Sequence, residues 1–276
     1  MVKIQHINVV KIGGNVIDNA EALARFIDDF AKLEAPKILI HGGGKLATRL
    51  SEKLEIETKM IDGRRVTDRQ TLDIVTMVYA GLINKQIVAG LQAAGCNAIG
   101  LSGADANVVP AVRRSPVPID FGFVGDIDAA KINSDFIATL LEAGVSPVFC
   151  AITHDGEGSL LNSNADSVAS AVAVAASRIA PTDMHFCFEK LGVLRDVDDP
   201  DSLIGEIRPD SYRELRETGV VNKGMIPKID NAFCAEMSSL SYENRRALLV
   251  RKLLTPAMAA RQKGCYLVIP QRQNLT

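Results

Sequence analysis

Twice within its first 45 residues the chain runs a short β-branched segment into glycines and then into a helical pattern. Ile7–Ile12 leads to Gly13-Gly14, and residues 37–40 lead to Gly42-Gly43-Gly44. This feature constrains the fold more than any other. A strand that turns on glycine and restarts as a helix has to lay that helix back over a sheet, which returns the next strand parallel to the first. The pattern continues with helices over residues 20–33, 45–54 and 71–94, the last ended by Gly95. A strand, Ala98–Leu101, then runs into Ser102-Gly103. Strand, glycine turn and helix in repetition predict an α/β fold with a mostly parallel sheet covered on both faces.

The middle of the chain breaks this rhythm. Residues 121–127 and 148–161 read as hairpin material, with Asp155-Gly156 as a turn. A helix lies between them over residues 134–142, capped by Asn133 or Ser134. Residues 166–179 are almost wholly apolar and rich in alanine, as expected of a buried helix. Pro181-Thr182-Asp183 interrupts before a new strand over residues 184–188, which places a boundary between two lobes near residue 180.

The 276 residues suit one large α/β unit with two lobes, and 47% hydrophobic with 23% charged residues is enough for a packed core. A net charge of −2 and a pI near 6.1 give no electrostatic footprint for nucleic acid or an anionic membrane surface. No basic leader precedes a long apolar stretch, and no apolar run is read as approaching the roughly 18 residues that span a bilayer. The five cysteines, Cys96, Cys150, Cys187, Cys234 and Cys265, show neither zinc-knuckle nor CxxC spacing. Reduced core thiols and a cytoplasmic location are the expectation. The four histidines show no metal-ligand spacing, so no protein metal site is expected.

Glycines directly after a strand expose backbone N–H groups at a helix start, where the dipole favours anions. One such turn is usually only a tight turn; two after neighbouring strands, one of them carrying Lys11, point to an anion site. Gly42-x-Gly44-x-x-Ala47 also fits a dinucleotide fingerprint, with Asp62 twenty residues beyond Gly42. That reading makes the chain an oxidoreductase, but the fingerprint follows the second strand and Asp62 ends no convincing one. No Walker P-loop occurs, and Asp120-Phe121-Gly122 lacks the catalytic loop that would give it meaning. Asn162-Ser163-Asn164-Ala165-Asp166 precedes the buried helix, where it either caps that helix or binds a ligand. Gly224-Met225-Ile226-Pro227-Lys228 opens another helix and puts a cation where the dipole disfavours one, which suggests an anionic partner.

These pieces resemble the amino-acid kinase family, and within it the N-acetylglutamate kinase branch. The matching stretches include residues 10–14, 40–44, 62–68, 77–85, 101–105, 122–126, 161–166 and 224–228, so the resemblance covers roughly residues 7–235. It implies a three-layer αβα sandwich, a homodimer, and MgATP-dependent phosphorylation of the γ-carboxylate of an N-acylated glutamate, a step of arginine biosynthesis. Acetyl is the default acyl group and succinyl the alternative; a weakly active regulatory or binding member is a further reading.

By that resemblance Lys11, Asp166 and Lys228 are catalytic: the two lysines neutralise the transferring phosphoryl group and Asp166 orients them. Gly43, Gly44, Arg65, Asn162 and Asn164 hold the acyl amino acid. Lys11, Gly13, Gly14, Lys190, Gly192, Gly224 and Lys228 hold ATP, with Mg²⁺ carried on its phosphates. Residues 1–180 would form the acyl-amino-acid and dimer lobe, and residues 181–276 the nucleotide lobe. Two departures stand out. Glu189-Lys190 occupies a position where many relatives have a small residue and an aspartate. From about residue 235 the chain leaves the family plan: beyond Ser238 it carries seven basic side chains against one acid, Glu243.

Overall fold

The computed structural model describes residues 4–34, 36–61, 63–188, 193–196, 198–199, 201–204, 206–207, 209–221, 226, 229–230, 248–251 and 265–271. Its centre is an eight-stranded sheet. Five strands are parallel, in the order Thr182–Phe188, Ile7–Ile12, Lys37–His41, Ser146–Cys150 and Ala98–Leu101. Beyond Thr182–Phe188 the strands Cys265–Gln271, Leu248–Arg251 and Glu206–Ile207 add on antiparallel. The mostly parallel sheet, with helices on both faces, is the α/β architecture expected from the sequence.

Strand periodicity divides the core. Ile7, Val9, Ile38 and Ile40 point to one face, where they pack with Val168, Val172 and Ile137 of the helices Ala165–Ser177 and Ser134–Glu142. Val10, Ile12 and Leu39 point to the other, against Phe26 and Phe30 of Ala20–Lys32 and Val75, Ile83 and Ile87 of the long helix. Alternate side chains on opposite faces are what a pleat dictates. Each fully buried Ile, Leu or Phe here contributes about 1.5–3 kcal/mol. Lys11 belongs to the face of Ile7 and Val9, which aims it at the Ala165–Ser177 helix.

The helices begin where side-chain oxygens can cap them. Asn19 accepts from the Ala22 N–H at 2.9 Å, Asp68 from Thr71 at 2.8 Å and Asn133 from Phe136 at 3.1 Å. The long helix is continuous over Arg69–Ala93, but its middle, Met77–Ile83, is wound as π-helix. It is also long and apolar enough to cross a membrane by length and composition, although Asp73 and Lys85 interrupt its apolar run. Its buried face lies in the core on the sheet.

The hairpin expectations need correction. Ser146–Cys150 is an inner strand of the parallel sheet, and the hairpin is shorter, joining Ile152–His154 to Leu160–Asn162. A strand buried on both faces loses its polar alternation, so its apolar run reads like a buried hairpin arm. Pro147 also argues against an inner strand. It is tolerated because pairing to Lys37–His41 starts only at Val148. Gly125–Ile127, within the other expected hairpin, pairs antiparallel with Ala111–Arg113. The described cysteines Cys96, Cys150 and Cys187 are buried, and burial pushes the Cys150 thiol up to about 12.

Candidate active site

The parallel strands Ile7–Ile12 and Lys37–His41 end side by side, and both run into glycine turns. In open α/β sheets ligands collect at the carboxyl ends of parallel strands. Lys11 lies one residue before the end of the first strand and is 7% exposed. Its Nζ is 2.5 Å from Oδ1 of Asp166, in the first turn of the Ala165–Ser177 helix. The two side chains are 8% and 10% exposed, so this ion pair is held almost out of water. The same ammonium lies beside the first glycine turn, 4.0 Å from where a Cβ on Gly13 would be.

The second glycine turn is built for close approach. A Cβ on Gly43 would sit 2.3 Å from Cδ1 of Ile83 and 2.9 Å from Cδ1 of Tyr79, both on the π-wound stretch of the long helix. A Cβ on Gly42 would sit 3.5 Å from that of Ala165, next to Asp166. Gly43 and Gly44 open the helix Gly44–Lys53, whose first carbonyl bond runs from the Ala47 N–H to Gly43 O at 3.1 Å. Among the described residues neither the Gly43 nor the Gly44 N–H has a protein acceptor.

Arg65 closes this side. It is 9% exposed, and its guanidinium donates to Gly44 O at 3.0 Å, Thr48 Oγ1 at 2.8 Å and Thr58 Oγ1 at 3.3 Å. It also lies against the buried Tyr79 hydroxyl. Burial raises the Tyr79 pKa, and the guanidinium opposes the rise. Among the described residues no carboxylate pairs with Arg65. A guanidinium so placed carries an uncompensated buried charge, a costly arrangement that an anion would relieve.

Of the two roles the sequence left open for the Asn162–Asp166 segment, the structure shows the helix cap. Asn164 Oδ1 caps the buried helix, accepting from the N–H groups of Asp166 at 2.8 Å and Ser167 at 3.1 Å. Asn162, 8% exposed, donates through Nδ2 to Thr67 Oγ1 at 3.0 Å, and its backbone N–H bonds to Phe123 O. Gly122 takes a φ of +75°, and a Cβ there would come within 2.2 Å of Thr67 O, so only glycine lets these loops meet.

The structure therefore brings Lys11, Gly13, Gly14, Gly43, Gly44, Arg65 and Asp166 together at the strand ends. Asn162 and Asn164 lie on the segment leading into Asp166. Lys190, Gly192, Gly224, Lys228 and Asp62 lie outside the described residues.

The sequence model of the amino acid kinase family matches residues 6–240. The chain belongs to that family. It is 54% identical over 239 residues to the acetylglutamate kinase of Cytophaga hutchinsonii, covering 86% of this chain and 89% of that one. Identity to the acetylglutamate kinase of Phocaeicola vulgatus is 48% over 231 residues, covering 84% and 89%. Among solved structures it is similar to the smu.665 protein of Streptococcus mutans UA159, with 29% identity, a TM-score of 0.69, and 85% and 92% of the two chains covered.

Three features of this amino acid kinase escaped the sequence reading. Lys45, in the first turn of Gly44–Lys53, donates to Asn15 Oδ1 and so bridges the two glycine turns. Asp18 accepts from Arg49 at 2.8 Å across the same gap. His41, wholly buried, links Gly42 to Asn84 of the long helix. A lysine at a helix start was a legible signal for the first; nothing in the sequence marked the other two.

Proposed function

We propose that the chain transfers the γ-phosphoryl group of ATP to the γ-carboxylate of N-acetyl-L-glutamate, within arginine biosynthesis. The observation that carries this is the buried Lys11–Asp166 pair beside two glycine turns, with a buried Arg65 at their rim that meets no carboxylate among the described residues, in a chain half identical to acetylglutamate kinases. The acceptor carboxylate has a pKa near ~4.3 and is ionised at neutral pH, so no general base is required. The difficulty is bringing one anion onto another, and phosphoryl transfer is mostly positioning and charge neutralisation. A carboxylate oxygen bonds to the γ-phosphorus, the bond to the β,γ-bridging oxygen breaks, and ADP leaves with those electrons.

In this reading Lys11 offsets the charge on the transferring group and Asp166 fixes its ammonium. Lys228 serves from the far side. Gly13 and Gly14 present N–H groups to the nucleotide phosphates, while Lys190, Gly192 and Gly224 complete the ATP site. Gly43 and Gly44 offer N–H groups to the acceptor, and Arg65 forks onto a substrate carboxylate. Asn162 and the Asn164 amide hold its amino-acid end. Among the described residues no group of three His, Cys, Asp or Glu side chains could hold a metal ion. Mg²⁺ would be carried on ATP phosphate oxygens, where it would neutralise charge.

Residues 1–180 are the acyl-amino-acid and dimer lobe, and residues 181–276 the nucleotide lobe. A homodimer is favoured by large apolar side chains left exposed: Met77 and Leu82 on the long helix and Ile99 on the edge strand, 55%, 48% and 37% exposed. The buried thiols of Cys96 and Cys150 suit a cytoplasmic protein.

The test is to trap the acyl phosphate as a hydroxamate with MgATP and N-acetyl-L-glutamate, N-succinyl-L-glutamate or free L-glutamate. Signal with the acetyl substrate is expected; a stronger succinyl signal would reassign the acyl group. No signal with any of them from folded protein would overturn the kinase reading in favour of a binding role. Sedimentation reads the dimer, and a monomer at micromolar concentration would refute it.

A further inference from the structure

His41 ends its strand with no exposed surface, one residue before the glycine turn. Its Nδ1 lies 2.8 Å from Gly42 O. A carbonyl can only accept, so Nδ1 carries the proton. Nε2 then has to accept, and it meets Asn84 Nδ2 at 3.1 Å. The same amide nitrogen donates to Val148 O at 2.9 Å, while Asn84 Oδ1 accepts from Lys85 Nζ at 3.2 Å. Each donor direction in this chain is fixed by its neighbour. Burial keeps the ring neutral, with its pKa pushed down to about 4.

The consequence falls on the glycine turn. In a trans peptide the C=O and the following N–H point in opposite directions. With Gly42 O held toward the His41 ring, the Gly43 N–H is turned away from it, and it has no acceptor among the described residues. The π-wound stretch holds the turn from the other side, through Tyr79 and Ile83 against Gly43, and Asn84 follows that stretch directly. π-Bulges commonly mark functional sites, because the extra residue re-aims the side chains that follow.

We infer that Asn84 and His41 are positioning residues that orient the Gly42–Gly43 peptide so that its N–H faces the acceptor anion. This rests on the proposed reading of Gly43 as an acceptor-binding residue. The network binds nothing itself; it acts through one peptide plane.

The decisive comparison is His41→Asn with His41→Gln. An asparagine amide nitrogen reaches the Nδ1 position and keeps the bond to Gly42 O. A glutamine amide reaches the Nε2 position and keeps Asn84 but releases Gly42 O. The hydroxamate assay with N-acetyl-L-glutamate should show the Gln variant with acceptor KM raised at least about tenfold, the fold-change of one charge-assisted hydrogen bond, and ATP KM unchanged. The Asn variant should stay within about threefold of wild type. Thermal unfolding should drop for both, so stability does not explain the difference. Equal kinetic losses, or Gln the better of the two, overturns the proposal.

Gly100→Ala gives a second reading from outside the site, and decides if the His41 variants do not fold. Its Cβ would lie 1.8 Å from Asn84 Oδ1 and 2.8 Å from Lys85 Nζ, so Asn84 has to move. A selective rise in acceptor KM is expected, and an unchanged acceptor KM overturns the proposal. An inactive wild type would bring down the kinase reading and this proposal with it, whereas an active wild type with indifferent variants brings down this proposal alone.

Discussion

Replacing Lys11 with methionine tests the chemistry and the energetics of the site together. Methionine keeps the length and apolar stem of lysine and removes the charge. Asp166 is then left about nine-tenths buried beside a thioether, its pairing to Lys11 gone. Breaking a buried pair from one side costs about 3–5 kcal/mol. Against a typical total of about 5–15 kcal/mol the variant should fold, with a clearly lowered midpoint. The loss of transition-state charge stabilisation should lower kcat by ~10²-fold or more. Two effects in one variant are ambiguous, so the informative protein is the double variant Lys11→Met with Asp166→Asn. Removing both charges should restore the part of the stability that breaking the Lys11–Asp166 pair costs, because a buried pair contributes little over a neutral replacement. It restores none of the activity, because the cation was needed for the reaction. Urea unfolding and hydroxamate formation measured on wild type, single and double variants separate the two. If the double variant regains kcat along with stability, Lys11 is structural and the assignment of the site is wrong. If Lys11→Met keeps kcat within a few-fold, phosphoryl charge is neutralised elsewhere.

Arg65→Lys keeps the charge but loses the planar fork, and should raise acceptor KM by about tenfold or more with kcat less affected; an unchanged KM would remove Arg65 from the acceptor site. Gly43→Ala places a methyl 2.3 Å from Ile83 Cδ1, so it should shift the turn and lower kcat/KM by more than its effect on thermal stability suggests. Wild-type activity in Gly43→Ala would mean the turn does not meet substrate. Stability should fall as pH drops from about 6.5 toward about 4, since His41 and His185 are buried neutral with pKa values near 4 that the unfolded chain does not share. Below pH 6.5 the unfolded state binds those protons and the folded state does not, so the stabilisation present above pH 6.5 is lost on acidification. His6, raised by its bond to Asp183, works in the opposite direction from a more exposed position. A flat urea midpoint between pH 7 and 5, where carboxylates scarcely titrate, would refute this account.

How much of the molecule the sequence revealed depended on how local the signal was. The strand Ile7–Ile12 and the helix start at Asn133 were legible because β-branched residues, glycine and a capping side chain act within a few positions. The apolar run from residue 148 reads as hairpin because a strand buried on both faces has no alternation to show. The π winding over Met77–Ile83 is not legible in the sequence; in the structure Tyr79 and Ile83 of that stretch pack against Gly43. Lys11 and Asp166 were placed by resemblance, but their burial and contact across the chain became visible only once the strand and the helix were set side by side.

The contacts that matter most for the second glycine turn and its neighbours are the ones sequence separation hides. Arg65 reaches Gly44 over 21 residues, His41 reaches Asn84 over 43, and Asn162 reaches Thr67 over 95. Each joins a loop to an element that is already rigid: a helix start, the long helix or a strand end. Loops held this way lose little freedom on binding, since the ordering cost has been met in folding. The site consists of glycines that must approach closely, a buried cation with its carboxylate, and polar ties that fix one peptide plane. In the proposed reaction no general base is needed, because the acceptor is already an anion. The selection on such a site falls on placement, and the residues whose substitution should matter beyond Lys11 and Arg65 are those that hold a backbone N–H in direction.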